Sequence, residues 1–322
     1  MTASESAADR QLDQDFERAQ LAYLDRCAPG SRTRRVRWSG GSTQIIEIGA
    51  GTPLLLLHGG LGEAFQWGPL FVPLARQHRV LAVDRPGHGF ADPFDYTGVD
   101  LLAHARQFIG NILDAEQLQS VPIVATSMGA LWAVSYAREN PNRVRRLILP
   151  GSPAGITRTL PLQLRLSTLP ILKSVIRNAM SRPTRDSVRA FWKQILVVHA
   201  ERLDDDFLNL SAMSQQRNCR SWFTLMDAAF TFSGMKPELL LDPRWPELTV
   251  RTTIVLGEKD AFGGLAEAKA AATRNPLIDV VQIADAGHAP WFDQPAEVIR
   301  AIEGRLVAAN AAAASSTPSA AR

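Results

Sequence analysis

Short apolar runs recur along this 322-residue chain at 53–57, 79–84, 121–125, 144–149, 252–256 and 280–284, with segments of helical periodicity between them. Pro53-Leu54-Leu55-Leu56-Leu57 is the plainest of them, and it leaves no polar face. A strand that is apolar on every residue must be covered on both sides, as in a parallel sheet between two layers of helices. The helical segments fit that scheme. Residues 99–117 place Leu101, Leu102, Ala105, Phe108, Ile109, Ile112 and Leu113 on one side, and residues 128–139 and 295–308 also read as helices. Pro141 separates the helix at 128–139 from the run that follows it. Two partly alternating segments, 35–38 and 43–48, read as early strands. The expected fold class is α/β, a mostly parallel sheet with helices on both faces. In such sheets functional groups gather at the carboxyl ends of the strands.

One long segment breaks the rhythm. Residues 156–245 read as several helices and no strand, far more than one crossover needs. Phe191, Trp192, Ile195 and Leu196 form one apolar set in it; Trp222, Phe223, Leu225, Met226, Phe230 and Phe232 form another. The expected organisation is therefore a core of residues 31–155 and 246–308, interrupted by a helical cap at 156–245. Residues 1–30 form an N-terminal extension, in which Leu12, Phe16, Leu21 and Leu24 mark a helix docking on the body. The Ala-, Ser- and Thr-rich stretch 309–322 is expected to be a disordered tail.

Composition excludes several functions. Net charge is only +3, which does not suit a nucleic-acid partner. No apolar run reaches the roughly 20 residues of a membrane span, and the start of the chain shows no secretory signal. Cys27 and Cys219 form neither a disulfide framework nor a metal spacing, so a reducing cytoplasm is expected. His58, His78, His88, His104, His199 and His288 lack a paired ligand spacing, and no phosphate-binding glycine loop is present. No metal and no cofactor is expected. Charge is uneven, however: from Arg158 to Lys193 there are eight basic residues and one acid, Asp186. Arg182, Arg185, Arg189 and Lys193 recur at helical spacing, which describes a solvated helix face or an attractor of anionic substrate or acidic membrane.

The run Val121-Pro122-Ile123-Val124-Ala125 leads into Thr126-Ser127-Met128-Gly129-Ala130 and a helix. A strand-to-helix turn of small residues presents a serine hydroxyl outside the backbone and aims helix-start N–H groups at the same point. That makes Ser127 a candidate nucleophile, which needs a base, an acid and oxyanion donors. Asp260 follows the run 252–256 and His288 follows 280–284, which gives the chain order Ser, Asp, His. Glu258 and Asp285 are rivals to Asp260 on position alone, and His58, His88 and Ser152 read as turn and loop residues.

With these motifs in this order, the chain resembles the α/β-hydrolase superfamily from about Arg34 to Ala308. The resemblance rests on His58-Gly59-Gly60-Leu61-Gly62, Asp84-Arg85-Pro86-Gly87-His88-Gly89, the serine turn, Gly257-Glu258-Lys259-Asp260 and Gly287-His288-Ala289-Pro290-Trp291. It departs from the family pattern at Ala125, where the turn usually carries glycine; a small residue meets the steric demand there. The resemblance implies an eight-stranded, largely parallel sheet with a substrate pocket beneath the cap. Ser127 would be the nucleophile, His288 the base and Asp260 the orienting acid. The oxyanion donors would be the backbone N–H groups of Met128 and Gly60, with Leu61 the near alternative to Gly60. The expected function is hydrolysis of a carboxylic ester of a small or medium-sized apolar acyl compound through an acyl-enzyme. Carbon–carbon bond, thioester or lactone hydrolysis and perhydrolysis use the same triad. A ligand-binding receptor on a hydrolase scaffold is the alternative of another class. Oligomeric state is not set by these motifs.

Overall fold

The computed structural model describes residues 7–315. From the N-terminus the elements are α1 (Ala7–Cys27), β1 (Arg32–Trp38), β2 (Gly41–Ile48), β3 (Thr52–Leu57), α2 (Gly68–Ala75), β4 (His78–Val83), α3 (Leu101–Ala115), β5 (Val121–Ala125), α4 (Ser127–Glu139) and β6 (Val144–Pro150). The segment expected as a cap then carries α5 (Leu162–Leu166), α6 (Pro170–Met180), α7 (Arg185–Phe191), α8 (Asp205–Ala229) and the strands β7 (Phe230–Thr231) and β8 (Gly234–Met235). The chain ends with β9 (Thr252–Gly257), α9 (Leu265–Arg274), β10 (Ile278–Ile283), α10 (Pro290–Asp293) and α11 (Pro295–Ser315).

Eight strands form one sheet in the order β1-β2-β4-β3-β5-β6-β9-β10. β1 and β2 pair antiparallel, as do β2 and β4; every later pairing is parallel. The apolar runs are continuous because alternate residues serve two cores. Leu55, Leu57, Leu81, Val83, Ile123 and Ala125 face the layer that holds α3 and α4. Leu54, Leu56, Val80, Ala82 and Val124 face the layer that holds α1, α2 and α11. Each fully buried leucine contributes about 1.5–3 kcal/mol.

Register aligns the ends of these strands. Leu57 pairs with Val83 and with Ala125, so the loops after β3, β4 and β5 leave the sheet side by side. Pro150 pairs with Val255, and Ile283 with Gly257, which adds the loops after β6, β9 and β10 to the same edge.

Several boundaries differ from those the sequence patterns indicate. β10 begins and ends before the expected run at 280–284. The segment 156–245 contains the β7–β8 hairpin, which turns through Phe232 and Ser233 into Gly234, at φ +115°. In α1 the buried stripe is Phe16, Gln20, Tyr23 and Leu24, whereas Leu21 points outward. The polar Gln20 belongs to it because its side chain hydrogen-bonds that of Gln44 at 3.1 Å. Arg182 precedes α7 instead of sharing its face, and Arg185 and Arg189 both pair with Asp205. α11 continues past residue 308 to Ser315; positions 316–322 of the expected tail lie outside the described residues. Cys27 and Cys219 are free thiols. No helix among the described residues is long and apolar enough to cross a membrane.

Candidate active site

Ser127 sits where β5 gives way to α4, in the left-handed region at φ +51°. A non-glycine residue there costs about 1–3 kcal/mol, so its surroundings must hold it. They do so on two sides. The Ala154 N–H donates to the Ser127 carbonyl at 3.0 Å, and a Cβ placed on Gly59 would lie 3.1 Å from the Ser127 Cβ. The indispensable glycine of the turn is Gly129. A Cβ there would come within 2.4 Å of the His58 carbonyl oxygen and 2.6 Å of that of Leu57. Ala125, in contrast, is accommodated in the core between sheet and helices. Close approach of α4 to β3 is therefore met by the second small position of the turn and not the first.

The loop after β3 packs against this turn. A Cβ on Gly60 would be 3.8 Å from that of Met128, so Gly59 and Gly60 lie alongside Ser127 and Met128. Three donors converge on the Gly59 carbonyl: the Gly62 N–H at 3.1 Å, Arg85 Nη2 at 2.5 Å and His58 Nδ1 at 2.9 Å. Because the trans peptide is planar, fixing that oxygen fixes the Gly60 N–H on the opposite side.

Arg85 is fully buried, with its guanidinium 4.8 Å from the Trp132 ring. Its Nε also donates to the His58 carbonyl at 3.1 Å. Burial and the Arg85 charge hold the His58 pKa well below its ordinary value. Neutral His58 accepts the Arg85 backbone N–H at Nε2 (2.8 Å), which leaves Nδ1 as the donor to Gly59. Burial, then the Arg85 charge, push His88 down to about 3. Its Nε2 lies 2.8 Å from the Gly60 carbonyl and its Nδ1 2.9 Å from that of Pro86. A neutral ring donates from one nitrogen only, so one of these two contacts is a hydrogen bond at a time.

Asp84 supports the same loop through the Ala64 N–H at 2.8 Å. The segment 84–89 is thus the scaffold of the glycine loop. His88 is a turn residue, as its motif indicates, and lies against the Gly60 carbonyl; Arg85, to which the motif gave no role, binds the carbonyls of His58 and Gly59.

At the far side of the edge, Asp260 is buried and accepts four contacts. His288 Nδ1 lies 2.9 and 3.0 Å from its two oxygens, and the N–H groups of Phe262 (2.9 Å) and Ser152 (3.0 Å) donate to it. Burial alone would raise its pKa. The His288 charge and hydrogen bond and the two backbone donors outweigh burial and hold it below the usual carboxylate value. Ser152 is therefore more than a loop residue, since its backbone N–H anchors the Asp260 carboxylate. The Phe262 ring covers the imidazole at 4.2 Å between centroids. The rivals stand elsewhere: Glu258 accepts the Asp285 N–H (3.1 Å), and Asp285 pairs with Lys259 (2.8 Å) and His199 (2.7 Å).

Ser127, Met128, Gly60, Leu61 and His288 all line one cavity of about 80 Å³. No hydrogen bond joins Ser127 to His288 here; such bonds commonly tighten only when substrate binds. The roof comes from the 156–245 segment, through Leu164, Phe191, Trp192, Ile195, Leu196, Trp222, Leu225, Met226 and Phe230. Phe223 is buried away from this cavity, and Phe232 is on the surface. Of the side chains lining the cavity only His288 is ionisable. Behind it a chamber of about 270 Å³ shares Leu61, Gln66, Leu164, Phe191, Trp192, Leu196 and Trp222 with it.

Glu63 lines that chamber, accepting from Ser214 Oγ at 2.6 Å and Gln66 Nε2 at 3.2 Å. Burial raises its pKa to about 8. Folding therefore binds a proton that the unfolded chain has released, and stability falls as pH rises from the unfolded value towards 8. The suppressed titration of His58 and His88 acts in the opposite sense, but only below about 6.5. Thermal melts between pH 6.5 and 8 should show a falling Tm in the wild type and a flatter line in Glu63→Gln. An equal slope in both would show that Glu63 does not carry it.

The sequence profile described as the alpha/beta hydrolase family matches residues 54–301. The chain belongs to that family. Among individual relatives, 125 residues of this alpha/beta hydrolase are 34% identical to the 2-hydroxy-6-oxo-2,4-heptadienoate hydrolase of Pseudomonas putida, covering 37% of this chain and 44% of the relative. The matched stretch thus spans less than half the length of that enzyme. Among solved structures, the carboxylesterase CesB of Bacillus subtilis superposes with a TM-score of 0.71 over 92% of this chain and 99% of its own, at 21% identity. A protein described as a putative lipase from Acinetobacter baumannii reaches a TM-score of 0.75 over 92% and 97%, at 17% identity. At such identities these likenesses establish the fold of the alpha/beta hydrolase and not its substrate.

Proposed function

We propose that this chain is a serine hydrolase that cleaves a carboxylic ester with a small, uncharged, apolar acyl part. What carries the reading is the convergence of Ser127, His288 and the Gly60–Met128 backbone on one cavity, with buried Asp260 on the far nitrogen of His288. His288 takes the Ser127 proton as the oxygen attacks the carbonyl, then protonates the leaving alcohol. Asp260 fixes the tautomer and stabilises the imidazolium. The N–H groups of Met128 and Gly60 receive the oxyanion, each worth about 3 kcal/mol of barrier. Water, activated by the same His288, releases the acid.

The relative from Pseudomonas putida supports a second reading, hydrolysis of a carbon–carbon bond on the same triad. The ester reading is preferred on charge. A dienoate brings a carboxylate, and no Lys or Arg side chain lines this cavity to pair with it. The test is labelling by a fluorophosphonate probe, followed by kcat/KM on p-nitrophenyl butyrate, its succinate counterpart and a vinylogous diketone acid. Wild type should label, Ser127→Ala should not, and the neutral ester should be cleaved fastest. Absence of labelling in correctly folded wild type would remove the nucleophile. Equal rates on neutral and charged acyl esters would remove the apolar preference, and faster turnover of the diketone would select the second reading.

A further inference from the structure

α6 is exposed along most of its length although its sequence is rich in large apolar residues. One side faces inward: Ile176, Ala179 and Met180 line the chamber behind the catalytic cavity. On the other side Ile171 and Val175, one turn apart, are 83% and 64% exposed. Leu172 beside them, Leu162 on α5 and Phe232 after β7 are 37%, 59% and 45% exposed. These five are the majority of the eight large apolar side chains exposed among the described residues. Single exposed apolar side chains are ordinary, whereas a concentration of them marks a surface that meets something apolar.

The same region is basic. Lys173 pairs with Asp227, and Arg185 and Arg189 with Asp205 and Asp186. Arg177, Arg182 and Lys193 are exposed and form no ion pair among the described residues. The partner must therefore offer negative charge beside apolar volume. The apolar side chains project from an exposed helix and do not line a groove, so the partner must also yield around them. A nucleic acid has the charge without the apolar volume. The headgroup–acyl boundary of an anionic bilayer has both.

We propose that the outer face of α6, with Leu162 and Phe232, docks this protein on an anionic lipid bilayer. The helix lies in the plane of the interface, with Ile171 and Val175 inserted and Arg177, Arg182 and Lys193 among the headgroups. Its inner face then holds the chamber against the phase in which apolar esters dissolve. The docking needs no chemistry at Ser127 and stands independently of the reaction assigned to it.

The experiment is co-sedimentation of the full chain with vesicles of phosphatidylcholine, and with vesicles in which part of it is replaced by phosphatidylglycerol. Wild type and Ser127→Ala should both pellet with the anionic vesicles and stay in solution with the neutral ones. The double variant Ile171→Asp, Val175→Asp should lose at least about tenfold in vesicle affinity. It should keep its far-ultraviolet circular dichroism and its turnover of a soluble short-chain ester. The double variant Arg177→Gln, Lys193→Gln should weaken binding to anionic vesicles and make what remains less sensitive to salt. The proposal is overturned if wild type binds neither vesicle or if binding survives the paired aspartates. It is equally overturned if those aspartates instead break a dimer of the wild type that binds no lipid.

Discussion

Replacing Ser127 by alanine is expected to lower kcat on a soluble ester by roughly 10^5- to 10^6-fold, with KM little changed and the fold intact. The size follows from what the hydroxyl does, since without it no acyl-enzyme forms and water must attack the carbonyl directly. Residual catalysis would come from the oxyanion donors and from positioning, which the substitution leaves in place. The fold should survive because the turn does not depend on the hydroxyl. Its left-handed conformation is held by the Ala154 N–H on the Ser127 carbonyl and by contact with Gly59. Alanine bears the same backbone strain as serine, so Tm should move little. Steady-state kinetics on a p-nitrophenyl ester, with melts of both proteins, decide it. A variant that keeps a tenth of wild-type kcat would show that another group attacks the carbonyl.

The central sheet was legible because strands buried on both faces need continuous apolar runs, and Leu54–Leu57 supply alternate residues to two different cores. The order Ser127, Asp260, His288 was legible for a related reason: each follows such a run, and register carries all those loops to one edge. Helix α2 was not legible, because Pro69 and Pro73 lie within it and proline normally argues against a helix interior. Nor were the partners of Arg85 and His88, although His88 read as a turn residue. The two side chains bind the carbonyls of residues 58–60 across the sheet edge, and a contact between two loops from different strands leaves no periodicity in either. Motif position placed the acid at Asp260, with Glu258 and Asp285 as its rivals. What separates them is burial, since Asp285 lies at the surface between Lys259 and His199 while Asp260 is enclosed with three donors.

That enclosure makes Asp260→Asn the second large effect, with kcat expected to fall about 10^4-fold. The Asp260 carboxylate only accepts, and everything around it donates: Phe262 N–H, Ser152 N–H and His288 Nδ1–H. An amide puts two N–H donors where one of those oxygens was. The backbone donors cannot change, so the imidazole must. Its proton moves to Nε2, and the nitrogen that should take the Ser127 proton is then already occupied. Stability should change in a defined direction. The native pKa of Asp260 is held below its ordinary value. The stability this contributes is present in full above the unfolded pKa and is lost as pH falls through the folded one. The asparagine variant should therefore melt below wild type at pH 7, and the gap should close in acid. Asp285→Asn at the surface should leave kcat near that of wild type. Equal losses in the two variants, or no loss in Asp260→Asn, would assign the orienting acid to another carboxylate.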